Sequence, residues 1–364
     1  MRICFLGDIR SVHIQKFIKY FTKEHETYLI SFDYLGDKRV QIGVDFFNNL
    51  GTHVYILKKS QLLFSPFITR RIIHIINPDL VQAHFVTNYG FLGAFSGVHP
   101  LVISAMGDDI LVHPVHNKLY HILVTYALHN ADFLTCDGVN SITALKNFGV
   151  SEKRIALIYP GIDMLLFHPS KKQKLFSNKI IFYPRGFDEI YDTVTLFKVI
   201  KIVHQHLPDV RFLLLGVGTE LTRFKNAIMK IGMNESVQYL GYVPNNELPV
   251  YLASSDISVT TSLSDGGIPV STIEAMACGV PVISTNAGDA MLWIKNGETG
   301  YVVDKCDYTA MATRIIELLI DDERRLQFGK KSRQIVEIDQ DYNFEMEKIE
   351  FLYNKLIMEK CGKI

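Results

Sequence analysis

The chain is poor in the residues that disulfide-framed or metal-nucleated folds depend on. Its 364 residues hold five cysteines, Cys4, Cys136, Cys278, Cys306 and Cys361, with no pair at metal-ligand spacing. That excludes a disulfide framework and a cysteine-based zinc site, and it fits a reducing compartment. Charge of either sign is not in excess, since 38 Lys and Arg balance 38 Asp and Glu. A dedicated nucleic-acid binder is therefore not expected. No apolar run approaches the ~20 residues of a membrane span. The opening Met1-Arg-Ile-Cys-Phe-Leu-Gly7 is too short for the apolar core of a secretory leader and has no cleavage pattern. The expectation is a cytoplasmic protein, free or at the inner face of a membrane. No G-x-G-x-x-G opens a helix after a strand, which argues against a dinucleotide-dependent oxidoreductase. No aspartate pair stands at a strand end in a metal-binding context, so no metal or other cofactor is expected.

What is present is apolar material for more than one core. The length exceeds what one ordinary core serves, and 48% of residues are hydrophobic. Short β-rich runs alternate with helical stretches in both halves. In the first half, residues 3–6, 27–32, 53–57, 80–84, 101–105 and 133–136 read as strands, with helical stretches such as 13–23 and 141–148 between them. In the second, the strands are 180–183, 211–215, 237–240, 257–260 and 280–284, and the helices include 192–206, 220–231 and 249–254. Such alternation predicts α/β architecture with parallel, doubly wound sheets. Tyr159-Pro-Gly-Ile-Asp-Met-Leu-Leu-Phe-His-Pro169, followed by Ser-Lys-Lys-Gln-Lys174, has the composition of a linker. The expected domains are 1–169 and 170–343, and the tail 344–358 has helical apolar spacing.

The most telling stretch is Ser264-Asp-Gly-Gly-Ile-Pro-Val-Ser-Thr-Ile-Glu-Ala-Met-Ala-Cys-Gly-Val-Pro-Val-Ile283. It reads as a glycine loop, a short helix, a glycine stop and a buried strand. Free backbone N–H groups at the helix mouth, together with the helix dipole, favour an anion. Glu274 falls early in that helix, within reach of a ligand held there. Phosphate at the amides and hydroxyls at the carboxylate describe a nucleotide sugar. The bland alternative is that Pro269 and Gly279 merely punctuate a helix.

Glu274-Ala-Met-Ala-Cys-Gly-Val-Pro-Val-Ile283 resembles the signature of the retaining glycosyltransferases of family 4 (glycosyl transferases group 1), and the resemblance extends more weakly over nearly the whole chain. It implies the GT-B fold, two Rossmann-like domains facing a central cleft, with the 344–364 tail crossing back onto the first. It also implies transfer of a sugar from a nucleoside-diphosphate sugar to a glycan, a lipid-linked or a similar acceptor. Glu274 would then bind the donor ribose and Arg185, after the strand 180–183, would clamp the pyrophosphate. The family's lysine five or six residues on is replaced by Ile190 or Tyr191. Of the family's two glutamates, which are separated by seven intervening residues, the first falls at Gly266, and Asp265 is the neighbouring acid. An extra glycine in Gly266-Gly267 would let Asp265 reach the sugar; its other reading is a loop cap. Gly216 and Gly241 with Tyr242 would lie near the nucleotide, or would be a tight turn and a surface tyrosine.

On the acceptor side, Gly7-Asp-Ile-Arg-Ser-Val-His13 resembles a pattern of one branch of the family, which makes Gly7 and His13 contacts; a core or capping role for His13 stands beside that. Where many members have His-Gly-x-Asp, this chain has Met106-Gly-Asp-Asp109, so Asp109 matches the acid and the histidine is missing. His84 is the nearest substitute. Asp109, Asp265 and Arg185 are the expected catalytic groups. The expected step is front-face displacement with no protein nucleophile, the departing diphosphate taking the acceptor proton. A nucleotide-sugar-binding protein without activity and a sugar-nucleotide epimerase of the same fold are the alternatives. Lys58, Lys59, Arg70 and Arg71 flank the apolar residues 62–67, which reads either as a peripheral membrane contact or as a solvated face.

Overall fold

The structure, a computed structural model, describes residues 1–33 and 37–362. The chain divides into two compact units, one made of residues 1–160 and the segment from Asn343 onward, the other of Gly161–Tyr342.

The first unit is built on seven parallel strands: β1 (Arg2–Leu6), β2 (Glu26–Asp33), β3 (His53–Lys58), β4 (Leu80–His84), β5 (Leu101–Ala105), β6 (Phe133–Cys136) and β7 (Ile155–Leu157). Their order is β3-β2-β1-β4-β5-β6-β7. Every residue of β4 and β5 is buried. That is the mark of a parallel sheet covered on both faces, and it explains why these strands read as continuous apolar runs rather than alternating ones. The polar residues inside them pair with one another. Gln82 Nε2 donates to Ser104 Oγ at 2.9 Å, and Ser104 Oγ lies 2.7 Å from Thr135 Oγ1, a line that crosses β4, β5 and β6.

The last helix, Tyr342–Lys360, packs on this unit. Tyr353 is fully buried, stacks on Phe21 at 5.1 Å and donates its hydroxyl to Gln82 Oε1 at 2.7 Å. Glu345 accepts the Tyr159 N–H at 3.1 Å, and Glu350 Oε1 lies 2.7 Å from His25 Nε2.

The second unit has six parallel strands: β8 (Ile180–Tyr183), β9 (Arg211–Leu215), β10 (Val237–Gly241), β11 (Ile257–Thr260), β12 (Val282–Thr285) and β13 (Gly300–Val303), in the order β10-β9-β8-β11-β12-β13. Its core is Tyr183, Phe212, Ile257 and Ile283 with the inner faces of helices Thr193–His206 and Tyr308–Ile320. Among the described residues no helix is long and apolar enough to cross a membrane.

Three features depart from the sequence reading. β7 is a three-residue, half-buried edge strand, too short to show a pattern. β13 begins at Gly300, which reads as part of a turn. It is glycine because a Cβ there would overlap the carbonyl oxygen of Val282 on the adjacent strand. The division falls after Pro160 rather than near Pro169. The stretch has a linker's composition, yet Ile162 and Phe167 are buried, the Ile162 N–H bonds the Gln340 carbonyl at 2.8 Å and the Phe167 carbonyl accepts from Arg333 at 3.2 Å.

The anchorage of the last helix is testable. Tyr353→Phe leaves Gln82 Oε1 buried without its donor and is expected to destabilise the chain by about 1–3 kcal/mol. Tyr353→Ala also removes the stacked ring and is expected to cost about 3–5 kcal/mol. Urea unfolding of the full chain measures both, and a Tyr353→Ala variant as stable as wild type would show that the helix does not depend on this contact.

Candidate functional site

In open α/β sheets a crevice forms at the carboxyl ends of the strands where the strand order reverses, because the loops there leave in opposite directions. In the second unit that point lies between β8 and β11. Arg185 follows β8 and Asp265 follows β11, and they meet, with Arg185 Nη2 at 2.7 Å from Asp265 Oδ1. Their side chains are only 14% and 15% exposed. The Tyr191 ring lies 4.6 Å from the guanidinium. Burial opposes the charge on Arg185, but Asp265, Tyr191 and Tyr183 outweigh it and raise the pKa, so the guanidinium stays cationic. Arg185 Nε and Asp265 Oδ2 are buried with no protein partner, as are Ser262 Oγ, Ser271 Oγ and Thr272 Oγ1 on the same loop and helix start. Each such atom costs about 1–3 kcal/mol until something bonds it. Their concentration here marks a place prepared for a polar ligand.

Glycines let the surrounding loops close in. Gly216 has φ +98°, and a Cβ on it would come within 2.8 Å of the Arg185 carbonyl oxygen; its N–H bonds the Gly241 carbonyl at 2.8 Å. Gly288 has φ +56°, and a Cβ on it would overlap the Gly267 carbonyl, which also accepts the Asp289 N–H at 3.2 Å. The loop after β12 thus clamps the Gly266-Gly267 loop from behind. Among the described residues no protein oxygen accepts from the N–H groups of Gly266 and Gly267.

Glu274 sits on helix Val270–Ala277, 4% exposed, and its Oε1 is 3.4 Å from Asn245 Nδ2. Asn245 belongs to the loop that leaves β10 at its last residue, Gly241, at φ +64°, and carries the exposed Tyr242. Arg185, Asp265, the two glycines, Gly216, Gly241 and Glu274 therefore share one end of one sheet. Tyr191 and Asn245 were not anticipated. Asn245 had only its place after Gly241-Tyr-Val-Pro244 to point to it, and Tyr191 had only the missing lysine.

In the first unit the order reverses between β1 and β4. Gly7 closes β1, where a Cβ would run into Ile14 and lie 3.6 Å from the Cβ of His84. The glycine is thus required by helix packing whatever else it does. His84 ends β4 with its ring edge-on to Phe17 at 4.5 Å, and neither ring nitrogen has a protein partner. With His13, Phe17, Ser104, Thr135, Asp137 and Tyr159 it lines a recess holding about 350 Å³ of empty space. Burial pushes His84 down to about 3, with His13 adding to the effect, and burial with nearby Lys16 pushes His13 down to about 4. Both rings are neutral at pH 7 and suit hydroxyl partners rather than phosphate.

Asp109, expected among the reacting groups, is held inside the fold by backbone donors. It is fully buried and accepts the Val86 N–H at 2.6 Å and the Met106 N–H at 3.0 Å, one on each oxygen. Between His84 and Val86 stands Phe85 at φ +81°, a non-glycine residue in a strained region. Asp109 ties down the far side of that bend, next to His84. Burial raises its pKa to about 6 against the pull of those backbone donors.

Two family models match the chain, one on each unit: Glycosyl transferase 4-like over residues 2–138 and Glycosyl transferases group 1 over residues 167–335. Fold and site together define a GT-B protein, two doubly wound parallel sheets each with a crevice at its switch point. The chain belongs to the group 1 glycosyltransferases, the family 4 lineage anticipated from Glu274–Ile283. It is 28% identical over 309 residues to the N-acetyl-alpha-D-glucosaminyl L-malate synthase of Bacillus anthracis, covering 79% of this chain and 78% of that one. It is 29% identical to a GDP-mannose-dependent phosphatidylinositol monomannoside mannosyltransferase of Mycolicibacterium smegmatis, over 38% of each chain. Among solved structures, Anabaena HepE in complex with UDP and glucose superposes with a TM-score of 0.83 at 20% identity, covering 98% of this chain and 100% of that one. A sucrose-phosphate synthase from Thermosynechococcus elongatus gives 0.80 at 16% identity, over 99% and 100%.

The buried carboxylate makes a signed pH prediction. A carboxyl raised from 3.8 to about 6 on folding contributes stability that is fully present below about pH 4 and lost as pH rises through 6. Asp109→Asn abolishes this dependence while removing one of the two backbone acceptors. The variant should melt lower than wild type throughout, with a gap that shrinks between pH 4 and pH 7. Melting curves at several pH values test this, and a gap that widens with pH would show that Asp109 is not raised.

Proposed function

We propose that the chain is a retaining glycosyltransferase that takes a sugar from a nucleoside diphosphate and places it on a hydroxyl of a glycan, lipid-linked or similar acceptor. The observation that carries this is the Arg185–Asp265 pair across the β8/β11 switch point, with Glu274 and two unoccupied glycine amides at the same sheet end. In this reading Arg185 keeps its bond to Asp265 and offers Nε to the diphosphate, since a guanidinium has more donors than one carboxylate uses. The amides of Gly266 and Gly267 and the helix dipole behind them take further negative charge. Glu274, fixed by Asn245, accepts from the ribose hydroxyls, and Tyr242 lies against the base. Asp265 turns Oδ2 to the donor sugar.

The reaction follows as front-face displacement. The bond from the anomeric carbon to the diphosphate breaks, and the acceptor oxygen bonds to that carbon on the same face. The acceptor proton passes to the departing phosphate oxygen. The protein's work is to hold both partners and stabilise the developing charge on the leaving group. The recess at His13 and His84, neutral and hydroxyl-seeking, is the acceptor's place. A binding protein without turnover is the second reading, favoured by Tyr191 standing where the family has lysine and by a structural Asp109.

Calorimetry with UDP, GDP, ADP, CMP and dTDP, with NAD as control, is the direct test. One diphosphate should bind selectively, and its sugars should then give transfer on an acceptor panel. Arg185→Lys keeps the charge and loses the fork; it should weaken the diphosphate about tenfold or more, the scale of one charge-assisted bond. Glu274→Gln should reduce nucleoside diphosphate affinity while leaving pyrophosphate affinity unchanged. Failure of every nucleotide to bind would remove the donor site, and binding without transfer would favour the second reading.

A further inference from the structure

Tyr191 takes no part in the transfer described above, yet it lies against the Arg185–Asp265 pair. It closes the 3-10 turn Glu189–Tyr191 in the loop that leaves β8. The Arg185 guanidinium lies over its ring, 4.6 Å from the centroid. The backbone nearby is shaped for that contact. A Cβ on Gly186 would come within 3.1 Å of the Tyr191 ring and 2.9 Å of the Val217 carbonyl oxygen. A Cβ on Gly216 would come within 2.8 Å of the Arg185 carbonyl oxygen and 2.9 Å of the Gly186 Cα. Glycine at both positions is what lets the ring and the β9 loop approach the chain at 185–186 this closely.

The loop that carries the ring is tied down on both flanks. Toward β9, the Phe187 N–H bonds the Val217 carbonyl at 3.0 Å, and the Glu220 N–H bonds the Phe187 carbonyl at 2.7 Å. Asp188 Oδ1 accepts the Thr219 N–H at 2.9 Å. Toward β11, the Leu263 N–H bonds the Ile190 carbonyl at 2.8 Å, and Thr261 Oγ1 donates to the Tyr191 carbonyl at 2.6 Å. Each of these bonds uses a backbone group or another residue's side chain, so they fix where the ring stands without depending on it. Arg185, by contrast, has a long stem with many rotamers, and ordering such a side chain on binding weakens affinity. Asp265 Oδ1 holds one edge of the guanidinium, taking Nη2 at 2.7 Å. The ring confines its plane. Nε, buried and without a protein partner, is the donor left for a ligand.

We propose that Tyr191 is a positioning residue of the donor site, its ring holding the Arg185 guanidinium in an orientation that offers Nε to a diphosphate. The inference rests on the donor reading above. A lysine at this place would bring a second positive charge. The ring brings none and instead fixes the first charge before the ligand arrives, so less ordering accompanies binding. The attraction between a guanidinium and a ring face is strongest away from water, and the Arg185 side chain is only 14% exposed.

Calorimetry on the full chain with UDP, GDP, ADP and dTDP tests this. Tyr191→Leu keeps apolar bulk beside Gly186 and removes the π face. It should lower the affinity of whichever diphosphate binds about tenfold, the scale of a cation–π contact shielded from water. Tyr191→Phe keeps the face and should recover most of that loss, whereas Tyr191→Gln, with no face, should not. Beside Arg185→Ala, Tyr191→Leu should change affinity by less than about twofold, because the two residues act as one unit. Melting temperature, measured alongside, should hold, since the bonds that fix the loop do not pass through the Tyr191 side chain. Affinity unchanged in both Tyr191→Leu and Tyr191→Gln, an equal loss with and without Arg185, or a Tyr191→Phe variant as weak as Tyr191→Leu would each overturn the positioning role while the donor site stands. No binding of any diphosphate to the wild-type chain would overturn the donor reading and this role together.

Discussion

Everything functional in this chain depends on where the strand order reverses. A parallel sheet forces its connections to cross over one face or the other, and at the reversal two neighbouring strands send their loops apart. The gap between those loops cannot be closed by the backbone. In the second unit the loop residues of β8 and β11 are Arg185 and Asp265; in the first, β1 and β4 end at Gly7 and His84. The same topological constraint thus yields a charged, hydrogen-bond-hungry crevice in one unit and a neutral, partly aromatic one in the other. What differs is the side chains placed at equivalent strand ends.

Two aspartates show how hydrogen-bond accounting separates structure from chemistry. Asp109 and Asp265 both come soon after strands, Asp109 on the short helix Asp108–Leu111 that Gly107 opens and Asp265 in the loop before Gly266. Each oxygen of Asp109 is buried and already holds a backbone N–H, which fixes the carboxylate beside the bend at Phe85. Asp265 has one oxygen committed to Arg185 and one buried without a partner. A buried polar atom without a bond is unfavourable by an amount comparable to a whole interaction. A fold retains a cluster of such atoms where something outside the chain completes them.

The sequence made the architecture legible because parallel strands in a covered sheet are uninterrupted apolar runs, and most of the thirteen stand out from the helices between them. β7 and β13 escaped because one is too short to carry a period and the other starts on a glycine whose reason is a neighbour's carbonyl. The loop of Gly266 and Gly267 and the helix of Glu274 were legible because a loop, helix and strand follow one another without interruption over residues 264–283. The bonds of Asp109 were not legible since its partners, Val86 and Met106, lie on two separate segments, and nothing in a linear reading shows that both N–H groups point inward. The exposed face of helix Lys118–Asn130 was missed for a similar reason. Its apolar residues look like core, and only the packing reveals that Val124, Ala127 and Leu128 face inward while Leu119, Ile122 and Tyr126 do not.

The last helix binds the two ends of the chain's logic together. Tyr353 donates to Gln82, Gln82 to Ser104, and Ser104 pairs with Thr135, so an unbroken polar line runs from that helix to the recess at His84. Interior hydrogen bonds in a low-dielectric medium reinforce one another, and a break leaves the remaining members unsatisfied. Ser104 and Thr135 are therefore held in place on the recess wall by a residue more than two hundred positions away. The crossing of the tail onto the first unit is accordingly part of how that recess keeps its shape. Its apolar contacts secure the helix, and the Tyr353 hydroxyl, by donating to Gln82 Oε1, leaves Gln82 Nε2 to donate to Ser104.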